Sequence, residues 1–172
     1  MTAGRRAVPG LVALFALAAV VGAQVAVPPS PTRHATDLAG VVDAARLAAL
    51  DAKLAAYDKK TSNQIVVYVQ RTVPEGGSME EYASAAFDAW GVGQKGLDNG
   101  VVFFVFVDDR RMRLELGGGA MKAISDPLAA EIIDTEAKPR FREKDYAGGI
   151  DAVVGRVIRA LDAAGAPSGK RR

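Results

Sequence analysis

The chain contains no cysteine and, among its 172 residues, a single histidine. Without cysteine the protein can form neither disulfides nor thiolate metal sites, and it has no thiol nucleophile. His34 lies in a proline-rich stretch ahead of the first periodic segment. We therefore expect no catalytic centre built on histidine in the folded core, and nothing in the sequence is typical of a serine–histidine–aspartate triad.

An excess of charge of one sign is also missing from most of the chain. The sequence has 22 Lys and Arg against 20 Asp and Glu, and Arg5 and Arg6 account for the difference. From residue 24 onward the two signs balance, which gives no electrostatic reason to bind nucleic acid. We expect no nucleic-acid partner.

The N-terminus has the order of a secretory signal peptide. Arg5 and Arg6 precede an apolar run from Leu11 to Val21, and small residues follow up to Ala23. We predict a signal peptide over residues 1–23. An uncleaved membrane anchor is the alternative, although the run is shorter than the ~20 residues that span a bilayer. No later run is apolar enough, so we expect a periplasmic or secreted protein with no membrane span in the mature chain.

The remaining chain divides into three parts. Residues 24–35 carry three prolines without periodicity, which predicts an extended linker. Residues 36–164 form the folded domain, and residues 165–172 a disordered basic tail. Apolar spacing and capping residues predict helices over 44–60, from Met79 to Trp90, from Asp126 to Pro139 and from Asp145 onward, with strands over 64–69, 101–107 and 112–116.

This order predicts an α/β fold. A strand, a helix and a second strand make one parallel crossover, and the turn at residues 108–111 joins the second and third strands as a hairpin. We expect a layered α/β sandwich with a mixed sheet of at least three strands and helices on both faces. Trp90 continues an apolar helical face, so we interpret it as a core residue rather than a ligand platform.

Two polar clusters are expected at opposite ends of this sheet. Because the hairpin reverses direction, Glu115 returns to the end that holds Asp98 and Asn99. Carboxylate, amide and loop carbonyl oxygens are ligands that Ca²⁺ prefers, so Asp98, Asn99 and Glu115 are the candidate metal ligands. A simple turn at residues 98–100 is the alternative, and the glycines at 117–119 are a weaker candidate for a phosphate cradle.

The second cluster is expected at the other end of the sheet. Asp37 and Asp43 precede the first helix, and Asp108 and Asp109 follow the second strand. A charged hairpin turn, in which Arg110 and Arg111 offset the two carboxylates, is the simplest interpretation of residues 108–111.

The ordered set of these motifs resembles the TPM domain family over roughly residues 36–163. The residues that carry the resemblance are Asp37-Leu38-Ala39-Gly40-Val41-Val42, Trp90-Gly91-Val92-Gly93-Gln94-Lys95-Gly96, Asp98-Asn99-Gly100, Asp108-Asp109-Arg110 and Asp145-Tyr146-Ala147-Gly148-Gly149-Ile150. The resemblance implies an exported α/β sandwich of the type found in thylakoid-lumen phosphatase-like proteins linked to photosystem II repair. It also implies calcium binding and acid phosphatase activity as family properties.

The chain departs from the family after its third strand. Where members commonly carry G-Y-G-L-E, this sequence has Gly117-Gly118-Gly119-Ala120-Met121, without the aromatic residue and the carboxylate. We therefore expect a non-enzymatic module of the envelope that binds an envelope or membrane-associated protein partner, with a weak calcium site at Asp98. A metal-dependent, acid-phosphatase-like phosphoester hydrolase is the alternative.

Overall fold

A computed structural model describes residues 26–165, and the predicted signal peptide and all but the first residue of the predicted tail lie outside them. The sheet has four strands in the order β1-β2-β3-β4: Ala35–Asp37, Gln64–Gln70, Gly100–Phe106 and Arg111–Leu116. The pairings of β1 with β2 and of β2 with β3 are parallel, and β4 runs antiparallel to β3. The predicted α/β class, parallel crossover and hairpin are confirmed.

Strand β1 was not predicted. It has only three residues and ends in Asp37, so it has neither the apolar run nor the alternation that reveals a strand. Backbone bonds on either side hold it in place: Val67 N–H donates to the His34 carbonyl and Leu38 N–H to the Val69 carbonyl. The last residue of the predicted linker, Ala35, is therefore part of the sheet, and a second parallel crossover precedes the predicted one.

The helices follow the predicted order. The described chain contains α1, Ala44–Thr61; α2, Met79–Trp90; a short 3₁₀ turn, Ala120–Lys122; α3, Asp126–Ile132; a π turn, Ile133–Ala137; α4, Lys138–Arg142; and α5, Tyr146–Ala163. Asp43 caps α1 and Asp145 caps α5, each by accepting a backbone N–H three residues on. Ser78 and Glu81 form the predicted reciprocal capping pair of α2, and these bonds lower the pKa of Glu81.

Helices cover both faces of the sheet, as predicted. The larger core packs α1, α3 and α5 on the face of Ile65, Val67 and Val69. The smaller core packs α2 alone on the face of Val66 and Tyr68. The strand order advances in the same direction from β1 to β2 and from β2 to β3, but α1 and α2 lie on opposite faces of the sheet. The two parallel crossovers therefore have opposite hands, and only one of them is right-handed, as parallel crossovers usually are.

Two details of the third helix were predicted wrongly. Ser125, not Asp126, is the N-cap, and its hydroxyl accepts from Leu128 N–H. Pro139 does not end the helical path, because the chain widens into the π turn first. There the Lys138 N–H bonds to the Ile133 carbonyl, five residues back. The path then continues as α4, with Pro139 in the first turn, where a missing N–H costs least.

Candidate functional site

The glycine-rich end of the domain, defined as loop 91–100 together with residues 117–119, is packed backbone against backbone. A Cβ on Gly100 would lie 2.1 Å from the Val92 carbonyl oxygen, and one on Gly119 would lie 1.9 Å from that of Leu97. Gly119 N–H donates to the Asp98 carbonyl and Gly117 N–H to the Gly100 carbonyl. These amides serve the fold, which removes the basis for a phosphate cradle at residues 117–119.

The predicted calcium ligands lie at this end but do not point to one place. Asn99 is fully buried, where its side-chain N–H groups donate to Ser62 and Asn63 and its oxygen accepts from Gln94 N–H. Glu115 lies on β4 opposite Val102 and is ion-paired with Arg113. Asp98 is exposed in a left-handed backbone conformation, with φ at 48°. Of the three predicted ligands, Asp98 is the exposed one.

Asp98 shares a shallow depression of about 330 Å³ with Asp88, a residue that the sequence reasoning missed. Phe87 and loop residues 91–95 complete its wall, and Lys95 adds a positive charge. Within residues 26–165, no group of three or more His, Asp or Glu side chains is placed to hold a metal ion. Two carboxylates beside an ammonium group are fewer ligands than the six to eight oxygens that Ca²⁺ takes.

At the carboxyl edge of the parallel strands, the carboxylates of the second predicted cluster already have partners within the domain. The Asp37 carboxylate accepts four N–H bonds of 2.8–2.9 Å, from residues 39–42. Asp109 accepts from Val73 N–H, and Asp108 faces Arg71 at 3.7 Å. Arg71 also donates to the Ala39 carbonyl, which confirms that the Asp37 loop and Asp108 are neighbours. Asp37, Asp108 and Asp109 are not among the residues that line the groove beside them.

That groove, the basic cleft, has a volume of about 430 Å³ and lies between the β3–β4 turn and the junction of α4 with α5. Its lining combines apolar and aromatic side chains with cationic ones, and it includes no carboxylate and no imidazole among the residues that the structure describes. The lining residues are Val105, Phe106, Val107, Arg110, Arg111, Met112, Lys138, Phe141, Arg142, Lys144 and Tyr146. In open α/β sheets, ligands bind outside the carboxyl ends of the strands, which is where this cleft lies.

Three of the five cations in the cleft have no ion-pair partner within the described part of the chain. Arg111 contacts Glu80 and Lys138 contacts Asp134, whereas Arg110, Arg142 and Lys144 are exposed and unpaired there. The hairpin turn therefore separates its charges, with Asp108 and Asp109 directed towards the β2–α2 loop and the arginines lining the cleft. The expectation that they offset one another locally is wrong.

Two of these unpaired cations occupy strained backbone positions. Arg110 has φ at 54° and Lys144 has φ at 62°, in the left-handed region where a side chain costs about 1 kcal/mol and glycine is the usual residue. Backbone strain of this kind clusters at functional sites. The other two non-glycine residues with this backbone in the described chain, Ser62 and Asp98, lie at the glycine-rich end. The cleft is the candidate functional site because its strained residues both carry cations without an ion-pair partner in the described chain.

The junction that presents Arg142 and Lys144 has its own packing requirement. Lys144 N–H donates to the Phe141 carbonyl and Asp145 N–H to the Arg140 carbonyl, which closes α4. The Phe141 ring then lies against α5, where a Cβ on Gly149 would come within 2.5 Å of it. Gly149 thus leaves the space that the aromatic wall of the cleft occupies.

The sequence does carry a signal for this site. Residues 138–144, Lys-Pro-Arg-Phe-Arg-Glu-Lys, form the densest basic run of the folded domain, and residues 108–111 hold two more arginines. The two segments are about 30 residues apart in sequence, and only the packing of α5 on the sheet brings them together.

Comparison with known proteins places the chain among α/β domains of one type. A sequence model of the TPM domain matches residues 35–160. The chain is similar to the solution structure of the N-terminal domain of a P. gingivalis protein, with 27% identity, a TM-score of 0.72 and coverage of 81% of this chain and 89% of that one.

Two further solution structures share the fold. The BA42 protein from the psychrophilic bacterium Bizionia argentinensis is 20% identical, with a TM-score of 0.62 over 78% of this chain and 90% of that one. The N-terminal domain of the cg2496 protein from Corynebacterium glutamicum is 16% identical, with a TM-score of 0.57 over 84% and 88%. No curated protein matches the chain significantly. Within residues 26–165, no helix is long and apolar enough to cross a membrane.

Proposed function

The chain belongs to the TPM domain family, and from that premise we propose that it is an exported, non-enzymatic binding module that holds an anionic part of an envelope protein in the basic cleft. Export rests on the signal-peptide pattern of residues 1–23. The binding role rests on the basic cleft. The proposal of an envelope partner follows from export and the binding role together.

One observation carries the proposal: three cations that have no ion-pair partner in the described part of the chain line an open cleft with an apolar wall. Arg and Lys are charge-assisted donors to carboxylate and phosphate oxygens, and a partly desolvated site strengthens such bonds. The lining supplies charge and apolar contact but neither a carboxylate nor an imidazole to act as a base. Such a site is suited to holding an anion.

We expect Lys144→Gly to weaken anion binding about tenfold while raising the free energy of unfolding by about 1 kcal/mol. Glycine relieves the left-handed backbone at residue 144 but removes the ammonium group. Citrate is the probe, because it carries several carboxylates and no hydrolysable bond. Its binding is measured from amide shifts of residues 141–149, and stability from urea unfolding.

Lys122→Ala is the matched control, because it removes one exposed cation at the opposite end of the sheet. It should leave the affinity for citrate unchanged. Equal affinity in wild type and Lys144→Gly, or no shift in residues 141–149 at any citrate concentration, would contradict the proposed binding site.

A second candidate function, weak calcium binding, is favoured by the depression that holds both Asp88 and Asp98. We expect a Kd of about 10⁻⁴ to 10⁻³ M, since few anionic ligands are present. Asp98→Asn keeps the shape and removes the charge, so it should abolish the rise in Tm that Ca²⁺ produces. Asp108→Asn, at the opposite edge, should retain that rise. If Asp108→Asn instead abolished the rise in Tm and Asp98→Asn retained it, the calcium site would lie at the Asp108 edge of the sheet.

The alternative of a phosphoester hydrolase makes a different prediction for the same variants. If the domain is a metal-dependent phosphatase, the purified protein hydrolyses a chromogenic phosphate ester with Ca²⁺ or Mg²⁺, and Asp98→Asn abolishes the turnover. The binding-module proposal expects no turnover in either protein.

A further inference from the structure

The basic cleft has two chemically different kinds of lining residue, apolar and cationic, and one ligand has to contact both. Val107 and Met112, both half-buried, form an apolar wall at the sheet edge, beside the rings of Phe141 and Tyr146, whose centroids are 5.0 Å apart. Arg110, Arg142 and Lys144 surround it. A small inorganic anion would satisfy the charges but would leave the apolar wall in water, so the arrangement favours an anion attached to an apolar group.

Charges just outside the cleft limit the shape of this ligand. Asp109, Glu143 and Asp145 are exposed and directly adjoin lining cations in sequence. A broad anionic surface, such as a bilayer or a nucleic-acid duplex, would meet these carboxylates together with the cations and would be repelled. A narrow chain that enters the cleft avoids them.

The backbone that carries two of the cations is ordered before any ligand arrives. Arg110 and Lys144 extend from left-handed backbone positions at the two sides of the cleft, within a tight turn and a closed helix end. Because the backbone is ordered in advance, binding loses less conformational entropy than it would on a disordered loop. A volume of about 430 Å³ accommodates one large side chain and its neighbouring residues.

We infer that the basic cleft binds a short acidic peptide segment of a protein partner, with one aromatic or large aliphatic side chain against the apolar wall and flanking carboxylates on Arg110, Arg142 and Lys144. This inference rests on the proposed anion-binding function and adds the class of ligand. The apolar side chain supplies specificity, and the carboxylates supply orientation and a dependence on ionic strength.

The test compares two peptides of equal charge, acetyl-Asp-Glu-Phe-Glu-Asp-amide and its variant with alanine in place of phenylalanine. By calorimetric titration of the protein, the phenylalanine peptide should bind about tenfold more tightly or better. Met112→Ala, which shortens the apolar wall, should remove most of that difference, and Lys144→Gly should weaken both peptides. The affinity for both should fall as salt is raised.

The outcomes separate this inference from the proposed function. If the two peptides bind equally, the apolar contact is wrong although the anion site stands. If neither peptide binds while citrate or phosphatidylglycerol vesicles bind and Lys144→Gly weakens that binding, the ligand is another anion and the peptide is excluded. If no probe binds in a manner that depends on Lys144, both proposals fail. Circular dichroism of Met112→Ala verifies that it is folded, and Tyr146→Ala replaces it if it is not.

Discussion

Gly119→Ala is expected to destabilise the domain by about 4 kcal/mol or more, or to prevent folding, which is exceptional for the addition of one methyl group. A Cβ at this position would lie 1.9 Å from the Leu97 carbonyl oxygen and 3.1 Å from that of Asp98. The φ of Gly119 is −71°, which alanine adopts freely, so the cost comes from the contact alone. Relief would require loop 91–100 to move off β4, and the measurement is urea unfolding.

Gly118→Ala is the matched control for this prediction. The neighbouring glycine is exposed, and a Cβ there would meet nothing within 4 Å. Its unfolding free energy should stay within about 0.5 kcal/mol of wild type. Wild-type stability in Gly119→Ala would mean that residues 117–119 are a mobile segment available to a ligand, contrary to the packing described above.

Trp90→Ala is expected to cost about 3 to 5 kcal/mol, with a fall in Tm of roughly 6 to 20 °C. The ring is 8% exposed and lies 4.9 Å from the Tyr68 ring and 5.6 Å from that of Phe104. Its Nε1–H donates to the Pro28 carbonyl at 2.9 Å, so the substitution also removes a link to the N-terminal segment. Differential scanning calorimetry measures the change.

Trp90→Phe separates the two contributions. It keeps most of the ring contact and loses the bond to Pro28, so its cost should be about 1 kcal/mol. If Trp90→Ala unfolded at the wild-type temperature but no longer bound citrate or peptide, Trp90 would be a ligand platform and the structural interpretation would be wrong.

The sequence predicted those elements whose formation is decided locally. Helix α2 has a complete capping pair and an apolar face, and β3 is a run of seven apolar residues after Asn99, so both could be placed without knowledge of the fold. Strand β1 could not, because three residues that end in Asp37 become a strand only when β2 is beside them. The π turn ahead of Pro139 was missed for a similar reason: packing against α5 holds that segment in a helical path.

The site was harder to predict than the fold. Sequence proximity and the hairpin correctly predicted that Asp98 and Glu115 lie at one end of the sheet. Residue type alone does not predict the direction in which a side-chain oxygen atom points. Asn99 has the chemistry of a calcium ligand and is buried as a link between loops. The basic cleft depends on contact between segments about 30 residues apart, and its local trace in the sequence is the basic run of residues 138–144.

The contact between Trp90 and Pro28 also fixes the position at which the N-terminal segment joins the domain. Val27 packs on the core beneath α2, and the chain then enters β1 at its amino end. The N-terminal attachment therefore lies at one end of the parallel strands and the basic cleft at the other, with a strand of seven residues, roughly 20 Å, between them. If an anchor or a neighbouring domain were joined at the N-terminus, the basic cleft would lie on the opposite side of the domain from that attachment.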